Sequence, residues 1–505
     1  MSCWMGIDIG TGGSRALLVD ADGTVTCGVT APHEDILMHR PLWAEQRPEN
    51  WWAASRDAVR AVLSKASISG SDVAGIGLSG QMHGLVLLDS AREVLRPALI
   101  WCDQRSQEQV DWINATAGAE MVLQQTANPI LTGFTAPKLL WVRDHEPALF
   151  ERVRNMLLPK DYVRHQLTGE FASEVSDASG TALFDVVGRQ WAVPLIEEIG
   201  IDRSILPEVF ESPELTGRIS ASAAAETGLA PGTPVVGGAG DQAASAVGNG
   251  IVESGLVSCT IGTSGVVFSH LDEAAYDPGG RVHTFCHAVP GKWHVMGVTQ
   301  GAGLSLQWFR NQLVSGLAAK AQARGVEIYD LLTEEAAVVE AGSEGLLWMP
   351  YLMGERTPHL DAYARGGWVG LTAKHSRAHL VRSILEGVAY SLNDCLGIIE
   401  SLGAEVAAVR ASGGGAKSPL WRSILAGVFA KPISTLQTQE GSAFGAALLA
   451  MVGTGEFSSV PEACRAVIVE QRRDLPDEVL VSAYRGPYSL YRELYPSLKE
   501  VFPRL

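Results

Sequence analysis

The sequence predicts an α/β protein of two similar halves that face each other. Three observations carry that reading. The chain has 505 residues, enough for two large domains or three small ones. Segments of strand character mix with segments of helical period along much of its length. A stretch near the start, MGIDIGTGGSRALLV (5–19), returns near the middle as LVSCTIGTSGVVF (256–268), with the same strand, I-G-T-x-G turn and second strand.

The elements follow in order. WMGIDIG and SRALLVD read as strands, and ADG is the tight turn into a third, TVTCGVT, which makes an antiparallel meander. PENWWAASRDAVRAVLSKA (48–66) reads as a helix: Pro48 suits its first turn, and Trp52, Val59, Val62 and Leu63 fall on one face. VAGIGLSG reads as a buried strand and GLVLLDSAREVLRPALIW as a further hairpin. The run AASAVGNGIVESG (243–255) is small-residued and reads as a flexible boundary, which divides the chain into 1–247 and 248–505.

Composition narrows the function classes. Basic residues number 39 against 56 acidic, a formal charge of -17, which speaks against nucleic acid or an anionic membrane surface as partner. The seven cysteines are scattered, without a C-x-x-C pair, so neither a disulfide framework nor a zinc site is expected and a reducing cytoplasm is. The opening MSCWMGIDIG lacks a basic segment followed by an apolar one, and no apolar stretch reaches the ~18 residues that span a bilayer.

Chemistry concentrates in small-residue turns. The first, Asp8-Ile9-Gly10-Thr11-Gly12-Gly13-Ser14-Arg15, sets an acid at a strand end before a glycine turn with a hydroxyl; Ile261-Gly262-Thr263-Ser264-Gly265 repeats the turn without the acid. Exposed backbone N–H groups in such turns bind phosphate oxygens, so two of them facing each other suit a polyphosphate, and Asp8 is placed to hold Mg²⁺ beside it. A plain hairpin explains either turn alone but not the repeat. GGAGDQAASAVGNG (237–250) isolates one carboxylate, Asp241, among residues too small to cover it, which suggests a working group with a ligand close by.

Three further motifs are weighed. SGGGAKS (412–418) sits between a strand and a helix and suits a nucleotide contact, but its spacing fails the P-loop pattern. Gly75-Ile76-Gly77-Leu78-Ser79-Gly80 fits G-x-G-x-x-G, yet the glycines lie inside the apolar run and no helix start follows, so a dinucleotide site is rejected. His283-Thr284-Phe285-Cys286-His287 matches no metal or haem spacing and reads as a satisfied structural pair of histidines.

Two long patterns, GFTAPKLLWVRDH (133–145) and GGWVGLTAKHSRAHLVRSILE (366–386), make the chain resemble the FGGY carbohydrate kinases, from residue 5 to about residue 490. PLWAEQRPENWW, GQMHG, LLPKDY, LTGEFAS and YLMGERTPH are most similar to the branch of that family whose acceptor is D-xylulose. The resemblance implies two ribonuclease H-like domains of the actin and hexokinase ATPase type flanking a deep cleft. It implies a cytoplasmic enzyme that transfers the γ-phosphoryl group of ATP, with Mg²⁺, to the terminal hydroxyl of D-xylulose, and it leaves a homodimer open.

It assigns the base to Asp241 and the Mg²⁺-associated acid to Asp8. Thr11, Gly12, Gly13 and Arg15 match the first phosphate loop and Gly262 and Thr263 the second, while Gly303, Gly414 and Gly415 border the nucleotide. Met82, His83 and Trp101 line the sugar pocket with Asp241 and Gln242. One departure stands out: Gln242 follows the base where that branch carries Asn. With Cys102 after Trp101, it keeps another ketopentose, a pentitol or glycerol open as acceptor. A sugar sensor that kept the fold without catalysis is the rival class; an intact Asp241 and intact turns argue against it. The sugar-pocket residues argue against an actin-like or chaperone ATPase.

Overall fold

A computed structural model describes residues 2–438 and 440–505. Its frame is two seven-stranded sheets. The first contains β1 (Cys3–Ile9), β2 (Gly13–Asp20), β3 (Val25–Pro32), β4 (Val73–Gly80), β5 (Leu215–Arg218), β6 (Pro234–Val236) and the short β7 (Ala239–Gly240). Its order is β5-β6-β4-β1-β2-β3, with β7 also paired to β4. The second contains β8 (Gly255–Ile261), β9 (Gly265–Leu271), β10 (His283–Cys286), β11 (Trp293–Thr299), β12 (Val406–Ser412), β13 (Ile433–Leu436) and β14 (Glu470–Asp474), in the order β10-β11-β9-β8-β12-β13-β14.

The sequence repeat is a repeat of topology. In each sheet a meander of antiparallel strands is followed by two parallel neighbours and a last antiparallel one. The parallel steps require crossover connections, and helices supply them. α1 (Pro48–Ala66) carries the chain from β3 to β4 and has the bounds its sequence predicts, with Pro48 at its start. Its buried face differs by one position from expectation: Trp51 is buried and Trp52 only partly so, because Trp51 donates its indole N–H to Gln46 at 3.1 Å. The expected hairpin after β4 turns at Asp89–Glu93 but does not form one ladder. Val86–Leu88 pairs with Asn155–Leu157, and Ala98–Leu99 pairs with Glu45–Gln46.

The run expected to be a flexible boundary is instead a helix, α2 (Asp241–Gly248). Its small residues serve packing. α2 lies against α3 (Gly441–Gly453), which comes from the second half of the chain, so closely that a methyl added at Gly445 would overlap the Ala244 carbonyl and one at Gly248 the Gly441 carbonyl. α3 also rests on the first sheet, where methyls at Gly6 and Gly77 would overlap the carbonyls of Ala443 and Ala446. Gly77, the middle glycine of the G-x-G-x-x-G match, is thus where a helix backbone approaches a strand. The apolar residues between, including Val247, Phe444, Leu448 and Leu449, make one core cluster drawn from both halves.

Among the described residues no helix is long and apolar enough to cross a membrane. All seven cysteines are free thiols.

Candidate active site

Asp241 starts α2 directly after β7. The residues before it are small because β7 must lie on β4 and on Met82: a methyl at Gly238 would overlap the Leu78 carbonyl, and one at Gly240 would come within 2.9 Å of Met82 Cγ. They do not clear ligand space, as their composition suggested. Gly240 N–H is held by Ser176 Oγ at 3.1 Å, and the Asp241 carbonyl accepts the Ser442 hydroxyl at 3.0 Å. Burial pushes the Asp241 carboxyl up to about 7; nearby Asp8 adds to the rise, and the backbone and side-chain N–H groups of Gln242 oppose it. A carboxyl that exchanges a proton near neutral pH suits general-base work.

Asp8, at the end of β1, pairs across to Arg15 on β2 and to Ser79 on β4. Its Oδ1 is buried without a hydrogen-bond partner, and burial raises its pKa. Two carboxyl groups that repel each other, one with an orphaned oxygen, form an environment a divalent cation relieves. Among the described residues no group of three or more His, Cys, Asp or Glu side chains is arranged to hold a metal. The donor set therefore fits Mg²⁺ in its usual mode, one or two carboxylates with waters and substrate phosphate oxygens.

The first turn joins β1 to β2, with Gly10 N–H on the Gly13 carbonyl at 3.0 Å. A side chain at Gly12 would meet nothing within 4 Å, so the turn is open on that side. The Thr11 hydroxyl accepts the Trp101 indole N–H at 3.0 Å and faces Gln81 Oε1 at 3.4 Å. The Arg15 guanidinium is engaged by Glu440 of the second half at 2.6 Å and by Thr30 at 3.0 Å.

The second turn joins β8 to β9, and its carbonyls at Gly262 and Thr263 accept the Gly303 and Leu304 N–H groups at 2.8 and 3.1 Å. Gly303 must be small, since a methyl would overlap the Gly262 carbonyl. Gly413 has φ of +81° and lies against Ile261, so the third glycine turn packs on β8 while Gly414 stays open. Gly262, Thr263, Gly303, Gly414 and Gly415 together line one cavity of about 440 Å³. Leu306, Gln307, Tyr329 and Trp421 are also in its lining, and sequence reasoning missed these four. Tyr329 lies far along the chain from any glycine turn and carries no local signal.

The third group surrounds His83, at φ +69°. Its Nδ1 faces the Gly180 carbonyl at 2.6 Å and must donate there, which leaves Nε2 as a bare acceptor. Burial holds this imidazole down to about 3, so it is neutral. Its ring stacks on Phe134 at 4.8 Å, and its carbonyl accepts Lys138 Nζ at 2.9 Å. Met82 is buried against Gly240, and Trp101 is 42% exposed. From the second half His283 comes to 5.9 Å of the Phe134 ring, and burial followed by the Arg356 guanidinium holds it down to about 4. His287 is satisfied by the Ile251 carbonyl at 2.9 Å and His283 Nδ1 meets Asn128 Oδ1 at 3.3 Å, as expected of a structural pair.

The FGGY family of carbohydrate kinases matches this chain twice, through its N-terminal domain over residues 3–248 and its C-terminal domain over residues 257–454. Xylulose kinase of Bacillus subtilis is 38% identical over 497 residues, covering 98% of this chain and 97% of its own. Xylulose kinase of Escherichia coli is 38% identical over 498 residues, covering 98% and 99%. A solved structure described as a xyloylose kinase from Brucella ovis superposes with a TM-score of 0.90 at 36% identity, covering 99% of this chain and 100% of that one.

Proposed function

The chain belongs to the FGGY family of carbohydrate kinases, and we propose that it transfers the γ-phosphoryl group of ATP to the terminal hydroxyl of D-xylulose, yielding D-xylulose 5-phosphate. Full-length similarity to xylulose kinases supports the acceptor. The observation that carries the chemistry is Asp241: a carboxyl held near 7 at the head of a helix, with Asp8 near it and the Met82 side chain against the preceding Gly240.

In this reading residues 1–247 carry the sugar pocket, the first phosphate turn and the base. Residues 248–505 carry the second turn and the adenosine cavity, with His283 and Arg356 reaching across to the sugar. His83 Nε2 accepts a sugar hydroxyl, and Trp101 stands at the mouth. Gln242 supports the Asp241 carboxylate and presents the rest of its amide to the acceptor end. The terminal hydroxyl oxygen attacks the γ-phosphorus, its proton passes to Asp241, and the bond from the γ-phosphorus to the β,γ-bridging oxygen breaks to leave ADP. Mg²⁺, when held at Asp8, neutralises charge on the phosphate oxygens. Gly12 and Gly13 present backbone N–H groups to the phosphates with Thr263, and Arg15 reaches them on leaving Glu440. A reducing cytoplasm suits seven free thiols and supplies ATP.

The test is ADP release with D-xylulose, D-ribulose, L-xylulose, D-arabinitol, xylitol and glycerol, for wild type and Gln242→Asn. D-Xylulose is expected to rank first by kcat/KM for the wild type. Gln242→Asn withdraws the amide by one methylene, and an unpaired buried group costs roughly 5- to 150-fold in kcat/KM. Glycerol or a pentitol ranking first by about tenfold would replace the acceptor assignment and leave the kinase assignment standing.

A further inference from the structure

A chain of hydrogen bonds runs beneath the first turn and has only one possible direction. At one end the Trp51 indole N–H meets Gln46 Oε1 at 3.1 Å; at the other the Trp101 indole N–H meets Thr11 Oγ1 at 3.0 Å. An indole nitrogen can only donate. The oxygen of the Gln46 amide therefore faces Trp51, and its Nε2 faces the Thr11 carbonyl, at 2.8 Å. Gln81 meets that same Gln46 oxygen at 2.9 Å, so Gln81 must present Nε2 there and turn Oε1 toward Thr11. The Thr11 hydroxyl, already accepting from Trp101, is left to donate to Gln81. Gln46 and Gln81 are 4% and 2% exposed, so water does not offer an alternative pairing.

We infer that Gln46 and Gln81 are positioning residues that tie the first phosphate turn to the sugar-facing Trp101. Gln46 grips the carbonyl of Thr11, Gln81 sets its hydroxyl, and Trp101 joins both to the mouth of the sugar pocket. Gln81 is also the residue directly before Met82 and His83, and its backbone N–H is fixed on the Ile9 carbonyl at 2.9 Å, one residue before the turn begins. The inference rests on the reading of this turn as a phosphate site.

The direction of the chain makes it testable by reversing one donor. Gln46→Glu keeps the acceptor for Trp51 and Gln81 but sets a carboxylate oxygen against the Thr11 carbonyl. Once protonated, the introduced carboxyl matches the amide again, as donor and acceptor both. The titratable groups around it are few. His33 shares the Thr11 carbonyl at 3.4 Å and is held below its ordinary value by burial, so it stays neutral above pH 6.5. Asp8 lies at the end of β1, and Glu45 is taken up by Arg96 and Arg105 at 2.5 and 2.7 Å.

The measurement is kcat/KM for ATP at saturating D-xylulose from pH 6.5 to 8.5, each variant divided by wild type so that the titration of Asp241 cancels. Calorimetric binding of D-xylulose without nucleotide is measured alongside. Gln46→Glu is expected to lose about tenfold or more at pH 8.5 and to recover to within about threefold at pH 6.5. Gln46→Met is expected to lose equally at both ends. D-Xylulose binding alone is expected to stay within about twofold for each. A Gln46→Glu ratio flat with pH, or Gln46→Met at wild-type kcat/KM for ATP, overturns the inference. Gly12→Asp, whose Cβ meets nothing within 4 Å but which sets a carboxylate on the open side of the turn, separates the two readings: if it too leaves ATP kinetics intact, the phosphate reading of the turn fails. If it weakens ATP use while Gln46→Met does not, only the positioning role fails.

Discussion

The proton on Asp241 decides when the site can work, and its titration gives the most direct test. The folded carboxyl lies at about 7 against an ordinary 3.8, raised first by burial and then by Asp8. A base acts only when deprotonated, so the rate is full above this value and lost as pH falls through it. With a single group near 7, the deprotonated fraction falls from about nine-tenths at pH 8 to about one-tenth at pH 6, so kcat/KM for D-xylulose should fall about tenfold over that span with a limiting slope of one. Asp8→Asn removes the second cause, so the midpoint should move to lower pH. Asp241→Ala should lose about 10²–10⁴-fold, roughly 3–5 kcal/mol of barrier, and its residual rate should lack the limb.

The same shift has a sign in stability. The folded state holds this proton after the unfolded chain has released it, so stability falls as pH rises from 3.8 to about 7 and is level above. Asp241→Asn should therefore melt higher than wild type at pH 8 and no higher near pH 4. Initial rates from coupled ADP release and thermal melts across pH 4–8.5 measure both effects. An activity profile flat from pH 6 to 8, or an Asp241→Ala enzyme that keeps the limb, would refute the assignment of this carboxyl as the base.

Other perturbations follow from the same geometry. Thr263→Val keeps volume and removes a hydroxyl from the nucleotide cavity; the KM for ATP should rise, and unchanged ATP kinetics would remove the second turn from phosphate binding. Gly445→Ala gains ~1 kcal/mol of helix propensity but forces a methyl into the Ala244 carbonyl, an overpacking that costs about 1–3 kcal/mol or more, so the melting temperature should fall. A melting temperature at or above wild type would mean that α2 and α3 can separate freely. His83 and His294 are held down to about 3 and His283 to about 4, chiefly by burial. The unfolded chain binds these protons first, so the contribution of these rings is complete above pH 6.5 and drains away as pH falls below it, against the opposite contribution of Asp241. Thermal melts of wild type and His294→Phe at pH 6.5 and 4.5 check this: a difference between the two proteins that does not change with pH would contradict the burial of that ring.

What the sequence disclosed and what it hid divide along physical lines. α1 was legible because its cues are local: a proline at the start and apolar residues at helical period. Its buried face differs by one residue because Gln46, just outside the helix, holds the Trp51 indole. The two glycine turns were legible as a repeat, and the repeat extends to whole sheets. The small residues after Asp241 were misread, since composition alone does not distinguish space for a ligand from space for another helix. His283, Arg356, Tyr329 and the Glu440 partner of Arg15 were hidden for one reason: each meets the site across a separation of more than a hundred residues or lies in a segment with no motif. No local period encodes such a meeting.

The placement of α3 bears on how the chain can be divided. Counted by strand order, the molecule is two copies of one unit. Counted by cover, it is one body, because the strip of β1 and β4 around Gly6 and Gly77 is roofed by a helix, Gly441–Gly453, made near the end of the chain. A ribosome that has finished residues 1–247 has made a sheet whose roof does not yet exist. That surface stays bare until Gly441–Gly453 emerges, so the first half must wait for nearly the whole chain before it can close. Cut in two and expressed as separate fragments, the halves would meet through this helix and through the cluster that joins Phe134 to Phe285, and a second fragment shortened before residue 441 would keep only the latter.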